Sequence, residues 1–174
     1  MMFSERLQAA INDQINAEFY SAYLYLAMSA YLEDRDLPGM AHWMRMQYEE
    51  EIFHALKFFD FMIDRGARVI LKAIDAPPAE FGTVEDVFAE VLAHEQKVTA
   101  LIHNLYKMAV EEGDYPTQSL LQWFIDEQVE EEKNANDVLA RVRMVKDYPP
   151  GILMIDEALA QRPAPTPPAQ EAAA

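Results

Sequence analysis

Read for spacing alone, the chain contains four long segments in which apolar residues return every third or fourth position, the period of an α-helix with one buried face. The first starts at Ser4, a suitable N-cap, and runs to about Glu33. Its inner stripe is Leu7, Ile11, Gln14, Glu18, Ala22, Tyr25, Ser29 and Leu32. The turn Asp34-Arg35-Asp36-Leu37 follows, and Pro38 suits the first turn of a second helix that runs to Arg65, with Gly66 placed to close it. That helix carries Met40, Met44, Gln47, Glu51, His54, Phe58 and Phe61 on its stripe. Thr83-Val84-Glu85-Asp86 resembles a capping box with Asp for the usual Glu. It opens a third helix with Phe88, Val91, Glu95, Val98, Ile102, Leu105 and Ala109 on one face, ended by Gly113. Asp114, Tyr115 and Pro116 open a fourth, with a seam of Leu120, Phe124, Glu127/Gln128, Glu131, Asn134/Ala135, Val138 and Val142. It stops before Tyr148-Pro149-Pro150-Gly151, and an amphipathic piece from Ile152 to about Gln161 predicts a short fifth helix.

Four helices of roughly 28–32 residues, about 42–48 Å long at 1.5 Å per residue, predict an all-α four-helix bundle. The one long connection, residues 66 to about 82, is broken by Pro77, Pro78 and Gly82. Its Val69, Ile70, Leu71 and Ile74 suggest a segment laid along the bundle. A crossover of that length returns the chain to the opposite end, so the second and third helices are expected to run parallel. Residues 1–161 are expected to form one domain, the four-helix bundle with its short fifth helix, and 162–174 a Pro/Ala-rich tail that is extended or disordered.

Polar residues on the inner stripes carry the chemistry. Glu18, Glu51, Glu95 and Glu131 each lie near the middle of a helix, and midpoints of packed helices of equal length meet at one level. His54 is one turn from Glu51, and Gln128 one turn from Glu131. Four carboxylates and an imidazole in a low-dielectric core must take up protons or bind cations. An oxygen-rich set with one histidine suits a pair of Fe or Mn ions, whereas structural zinc would call for more His or Cys. Tyr25, two turns from Glu18, is either a core residue with a locally satisfied hydroxyl, a hydrogen-bond donor to a ligand carboxylate, or an electron donor. Trp123 reads as a core residue or as a redox-active one. His42, His94 and His103 fall off the inner stripes and are expected at the surface or an interface. Glu50, Glu127 and Glu130 sit one position off the seam, as an ordinary solvated face or as the holders of a further cation.

A formal charge of −16 leaves no basic excess for nucleic-acid phosphates. The absence of cysteine excludes disulfides, thiolate metal sites and cysteine nucleophiles. No signal-peptide pattern and no apolar run of about 18 residues are present, so a cytoplasmic location without a membrane span is expected.

These residues jointly resemble bacterial non-haem ferritin, from the first helix through Ile155. The carrying motifs are Asn16-Ala17-Glu18 with Tyr25, Glu50-Glu51-Ile52-Phe53-His54, Glu95-Gln96, and Leu121-Gln122-Trp123-Phe124 followed by Glu127-Gln128-Val129-Glu130-Glu131-Glu132-Lys133. The resemblance implies a di-iron ferroxidase site that oxidises Fe(II) with O2 or H2O2. Glu18, Glu51 and His54 would bind one iron, and Glu51 would bridge to a second held by Glu95, with Glu131 and Gln128 close by. Glu50, Glu127 and Glu130 would match a third iron site. It also implies a hollow 24-subunit homo-oligomeric cage that stores ferric mineral. Related bacterioferritin and rubrerythrin repeat Glu-x-x-His on the fourth helix, where this chain has Asn134. The haem-ligating Met of bacterioferritin is Ile52 here, so no haem is expected. Two other classes fit the residues alone: a di-metal oxidase or peroxidase in a small oligomer, and a structural bundle with protonated acids. Glu112 and Asp114 read as pore-lining residues or as plain turn residues.

Overall fold

The computed structural model describes residues 3–166. They form five helices, α1 (Glu5–Glu33), α2 (Pro38–Asp64), α3 (Val84–Glu111), α4 (Tyr115–Val145) and α5 (Pro149–Leu159), with no strand among the described residues. Local chemistry sets the ends. The Ser4 hydroxyl accepts from the Leu7 N–H, and the Asp114 carboxylate from that of Thr117. Thr83 and Asp86 close a reciprocal capping box, the shorter acid serving as well as Glu. Gly66 and Gly113 follow α2 and α3 with φ of 68° and 63°, the left-handed conformation that ends a helix at least cost without a Cβ.

The short turns fold α1 against α2, and α3 against α4, as two antiparallel hairpins. Ser4 at the start of α1 donates to Glu112 just past α3, while Tyr31 near the end of α1 donates to the Gly82 carbonyl just before α3, at 2.6 Å. Thus α1 and α3 are antiparallel, and α2 runs parallel to α3. The crossover does lie along the bundle, but its backbone is the part that is held. The Asn12 amide donates to the Arg68 carbonyl (3.2 Å) and accepts from the Ile70 N–H (2.7 Å). Ile70, Leu71 and Ile74 point largely to solvent.

The inner stripes slip by one position toward their ends. Met62 and Leu121 are buried where Phe61 and Leu120 were expected, and those two are half-buried. Five full turns take about 18 residues, so Met62 stands directly over Met44 and Leu121 under Leu139. The fifth helix begins three residues earlier than expected, because Pro149 and Pro150 occupy its first turn, where no N–H is needed. It packs on α2 at Gly39, where an added Cβ would lie 1.8 Å from the Asp156 carbonyl oxygen, and the Asp156 carboxylate accepts from the Met40 N–H at 2.7 Å.

The core is not continuous. One apolar cluster gathers Leu24, Met28, Leu32, Met40, Met44, Phe88, Val91 and Val142. The other gathers Leu7, Ile11, Ile15, Phe58, Ile102, Leu105 and Phe124. Between them lies a layer of buried polar side chains.

Candidate metal centre

Each long helix contributes to this layer from near its middle, so the helical period and matched helix lengths set the level at which the groups meet. Gln14, Glu18, Gln47, Glu51, His54, Glu95, Gln128 and Glu131 are buried there, none more than 4 % exposed. One oxygen each of Glu18 and Glu51 and a ring nitrogen of His54 lie within 4.8 Å of one another. Among the described residues this is the only such grouping of three potential metal ligands. His54 Nδ1 is 3.3 Å from Glu51 Oε2, and the ring is fixed edge-on by Trp123 and Phe124 at centroid distances of 5.6 and 5.8 Å. Phe124 in turn stacks on Phe58 at 4.0 Å.

The second hairpin supplies the facing half. Tyr25 of α1 donates its hydroxyl to Glu95 Oε1, and Gln128 Nε2 donates to Glu95 Oε2 at 3.2 Å. Gln47 Nε2 donates to Glu131 Oε2 at 2.9 Å, tying α2 to α4. Glu50 is half-buried against Arg162, Glu127 is half-buried, and Glu130 is exposed. The structure thus brings Glu18, Glu51 and His54 together, sets Glu95, Gln128 and Tyr25 in a second hydrogen-bonded group, and leaves the Glu50, Glu127 and Glu130 group at the edge.

Two buried oxygens of this layer have no protein partner, Glu18 Oε2 and Gln47 Oε1. An unsatisfied buried acceptor costs about 1–3 kcal/mol, which a bound cation would offset. Burial, and then the neighbouring Glu51 charge, push the Glu18 carboxyl up to about 8. Burial and Glu131 do the same for Glu95, also to about 8. Glu51 is raised well above the carboxylate range by burial, Glu95 and Glu131. Without a cation, Glu18 and Glu95 are therefore mostly protonated at neutral pH, the state that burial in a low dielectric favours. Several carboxylates and one imidazole are the donor set that hard and borderline divalent cations select, so the residues fit iron.

His94, expected at the surface or an interface, is buried within the subunit. It packs against α1, and its Nε2 is 2.8 Å from the Ser21 hydroxyl. Ser21 itself donates to the Ala17 carbonyl (3.1 Å), so the ring nitrogen is the donor to Ser21. Burial and then the Lys97 charge hold this imidazole down to about 4, neutral at physiological pH. His42 is half-buried and bonds the Arg162 carbonyl at 2.8 Å, and His103 is exposed. Sequence reasoning also gave no site role to Gln14, which donates to Glu18 Oε1 at 2.8 Å, or to Gln47. The available signal was a seam glutamine four residues before each of Glu18 and Glu51.

Fold and site together define a class: four-helix bundles with a carboxylate–histidine cluster inside one subunit. The ferritin-like domain family matches residues 8–145, and the chain belongs to that family. It is 43% identical to a bacterial non-heme ferritin of Bacteroides fragilis (strain 638R), over 92% of this chain and 100% of that one. It is 38% identical to one of Staphylococcus haemolyticus (strain JCSC1435), over 92% and 97% of the two chains. Among solved structures, an open pore ferritin from the hyperthermophilic archaeon Archaeoglobus fulgidus superposes with a TM-score of 0.92 at 44% identity, covering 93% of this chain and 99% of the other. No helix of the described residues is long and apolar enough to cross a membrane.

Proposed function

We propose that the chain is an iron-storage ferritin whose polar layer is a di-iron ferroxidase site, in a 24-subunit cytoplasmic cage that holds Fe(III) mineral. The observation that carries this reading is the junction of Glu18, Glu51 and His54 within 4.8 Å, beside an orphaned Glu18 oxygen, in a chain of this family. Iron is the substrate. Glu18, Glu51 and His54 take one Fe(II); Glu51 extends to a second, held by Glu95 with Glu131 and Gln128 near. Binding displaces the protons that the buried carboxyls carry at neutral pH.

Two Fe(II) give two electrons to O2, which takes up two protons and leaves as H2O2, or to H2O2, which takes up two protons and leaves as two waters. Carboxylate oxygens favour Fe(III) over Fe(II), which drives the reaction forward. With a single imidazole and a neutral Gln128 amide in the set, the oxidised pair can leave for the cavity. Tyr25 orients Glu95 through its hydroxyl. Glu50, Glu127 and Glu130 form an outer position for a third ion.

Anaerobic loading with Fe(II), then mixing with oxygen, gives a transient diferric absorbance in the wild type and not in Glu51→Ala or His54→Ala. Either variant oxidising Fe(II) at the wild-type rate overturns the assignment. Sizing separates storage from a small-oligomer oxidase, since a cage of 19.9 kDa subunits elutes near 480 kDa.

A further inference from the structure

The chain leaves α5 at Leu159 and turns back onto α2. Its next basic residue, Arg162, is held by four contacts. The guanidinium stands 4.7 Å over the Trp43 ring and donates to the Trp43 carbonyl at 3.4 Å. His42 bonds the Arg162 carbonyl oxygen at 2.8 Å. The guanidinium also donates to Glu50 Oε2 at 2.5 Å, with the two side chains only 16 % and 22 % exposed. Glu50 is the acid of the outer group that this guanidinium holds. It sits near enough to Glu131, His54 and Glu127 for their charges to act on it.

A carboxylate whose charge is compensated by a guanidinium at this distance, with a lone pair of Oε2 taken up, attracts a metal ion less strongly. Arg162 therefore stands where a cation at the outer position would draw its charge compensation. We propose that Arg162 is a latch on the outer cation position: it holds Glu50 until an ion arrives there, and the ion displaces it, freeing the chain beyond Leu159 from α2. This rests on the reading of Glu50, Glu127 and Glu130 as a third ion position. The latch sets the affinity of that position and leaves the two inner ions untouched, because the hydrogen bonds and ion pair of Arg162 go to His42, Trp43 and Glu50 and to none of Glu18, Glu51, His54, Glu95 or Glu131.

If the latch is closed in about nine molecules of ten, it weakens the third ion's apparent affinity about tenfold. The assembled full-length protein is titrated anaerobically with Fe(II) in a calorimeter, as wild type, Arg162→Gln and Arg162→Lys. Peptide-resolved hydrogen exchange over residues 152–166 is followed at each stoichiometry. The expected result is a third ion bound about tenfold tighter by Arg162→Gln, with the first two unchanged and Arg162→Lys closer to wild type. Exchange at 160–166 in the wild type rises to the Arg162→Gln level only when the third equivalent binds. A third ion bound equally by wild type and Arg162→Gln, with protection at 160–166 unmoved, overturns the latch and leaves the third position standing. Stoichiometry that stops at two in Arg162→Gln removes both the third position and the latch.

Discussion

Raising the pH of the metal-free protein from 5 to 8 probes the polar layer directly. Glu18 and Glu95 titrate near 4.5 in the unfolded chain and near 8 in the fold. The folded state therefore binds more protons than the unfolded state across that window, and stability falls as pH rises through it. A rise from 4.5 to about 8 corresponds to about 5 kcal/mol for one carboxyl at ~1.36 kcal/mol per pH unit. Water entry and relaxation around the ionised acids reduce the cost well below that full figure, so a loss of at least about 3 kcal/mol between pH 5 and 8 is expected for the layer. For a chain of this size that lowers Tm by about 6–12 °C. Scanning calorimetry on chelator-treated protein at half-unit pH intervals measures it. Zn(II) or anaerobic Fe(II) should remove most of the slope, since the cation replaces the protons. Glu18→Gln, a neutral isostere, should flatten the slope without metal and abolish the metal-dependent gain. An apo Tm that is flat or rising from pH 5 to 8, or an unaltered slope in Glu18→Gln, refutes the reasoning.

Three further outcomes follow from single contacts. Tyr25→Phe removes the donor to Glu95, and should slow iron oxidation in stopped-flow by about tenfold while lowering apo Tm by only a few degrees, in line with about 1–1.5 kcal/mol for one buried hydrogen bond. Asp114→Ala leaves the Arg65 guanidinium without its two bonds of 2.9 and 2.8 Å and uncaps α4, costing about 3–5 kcal/mol by denaturation. The Arg65 guanidinium holds the Asp114 carboxyl well below its usual range, so this pair's stabilisation is present at neutral pH and is lost in acid. Gly39→Ala places a methyl against the Asp156 carbonyl and should raise hydrogen exchange in α5 while leaving α1 and α3 protected.

The four long helices and their crossing directions were legible because each stripe keeps its period over many turns and each end carries its own cap. Glu18, Glu51 and His54 stood out for the same reason: a strict period makes a charged side chain on the inner face conspicuous. His94 was hidden because one stripe per helix was assumed. Helix α3 meets both α1 and α4, and buries a second line of side chains facing Ser21. Arg162 was hidden for another reason. A Pro/Ala-rich stretch reads as unstructured, and its contact with Glu50 spans 112 positions that no local pattern encodes. The remainder of that stretch, 167–174, lies outside the described residues. In the crossover, apolar composition pointed to a segment laid along the bundle, and what holds it there is the Asn12 side chain bonded to its backbone.

The two antiparallel hairpins divide the donor atoms between them. Glu18, Glu51 and His54 belong to the first, and Glu95, Gln128 and Glu131 to the second, joined by a connection with no helix of its own. Chain order delivers the first hairpin, with its three donors, from the ribosome before the second. An ion caught early would ride on half a nest and clasp the late-arriving half to it, so that the cargo itself inspects whether the two halves have met in register.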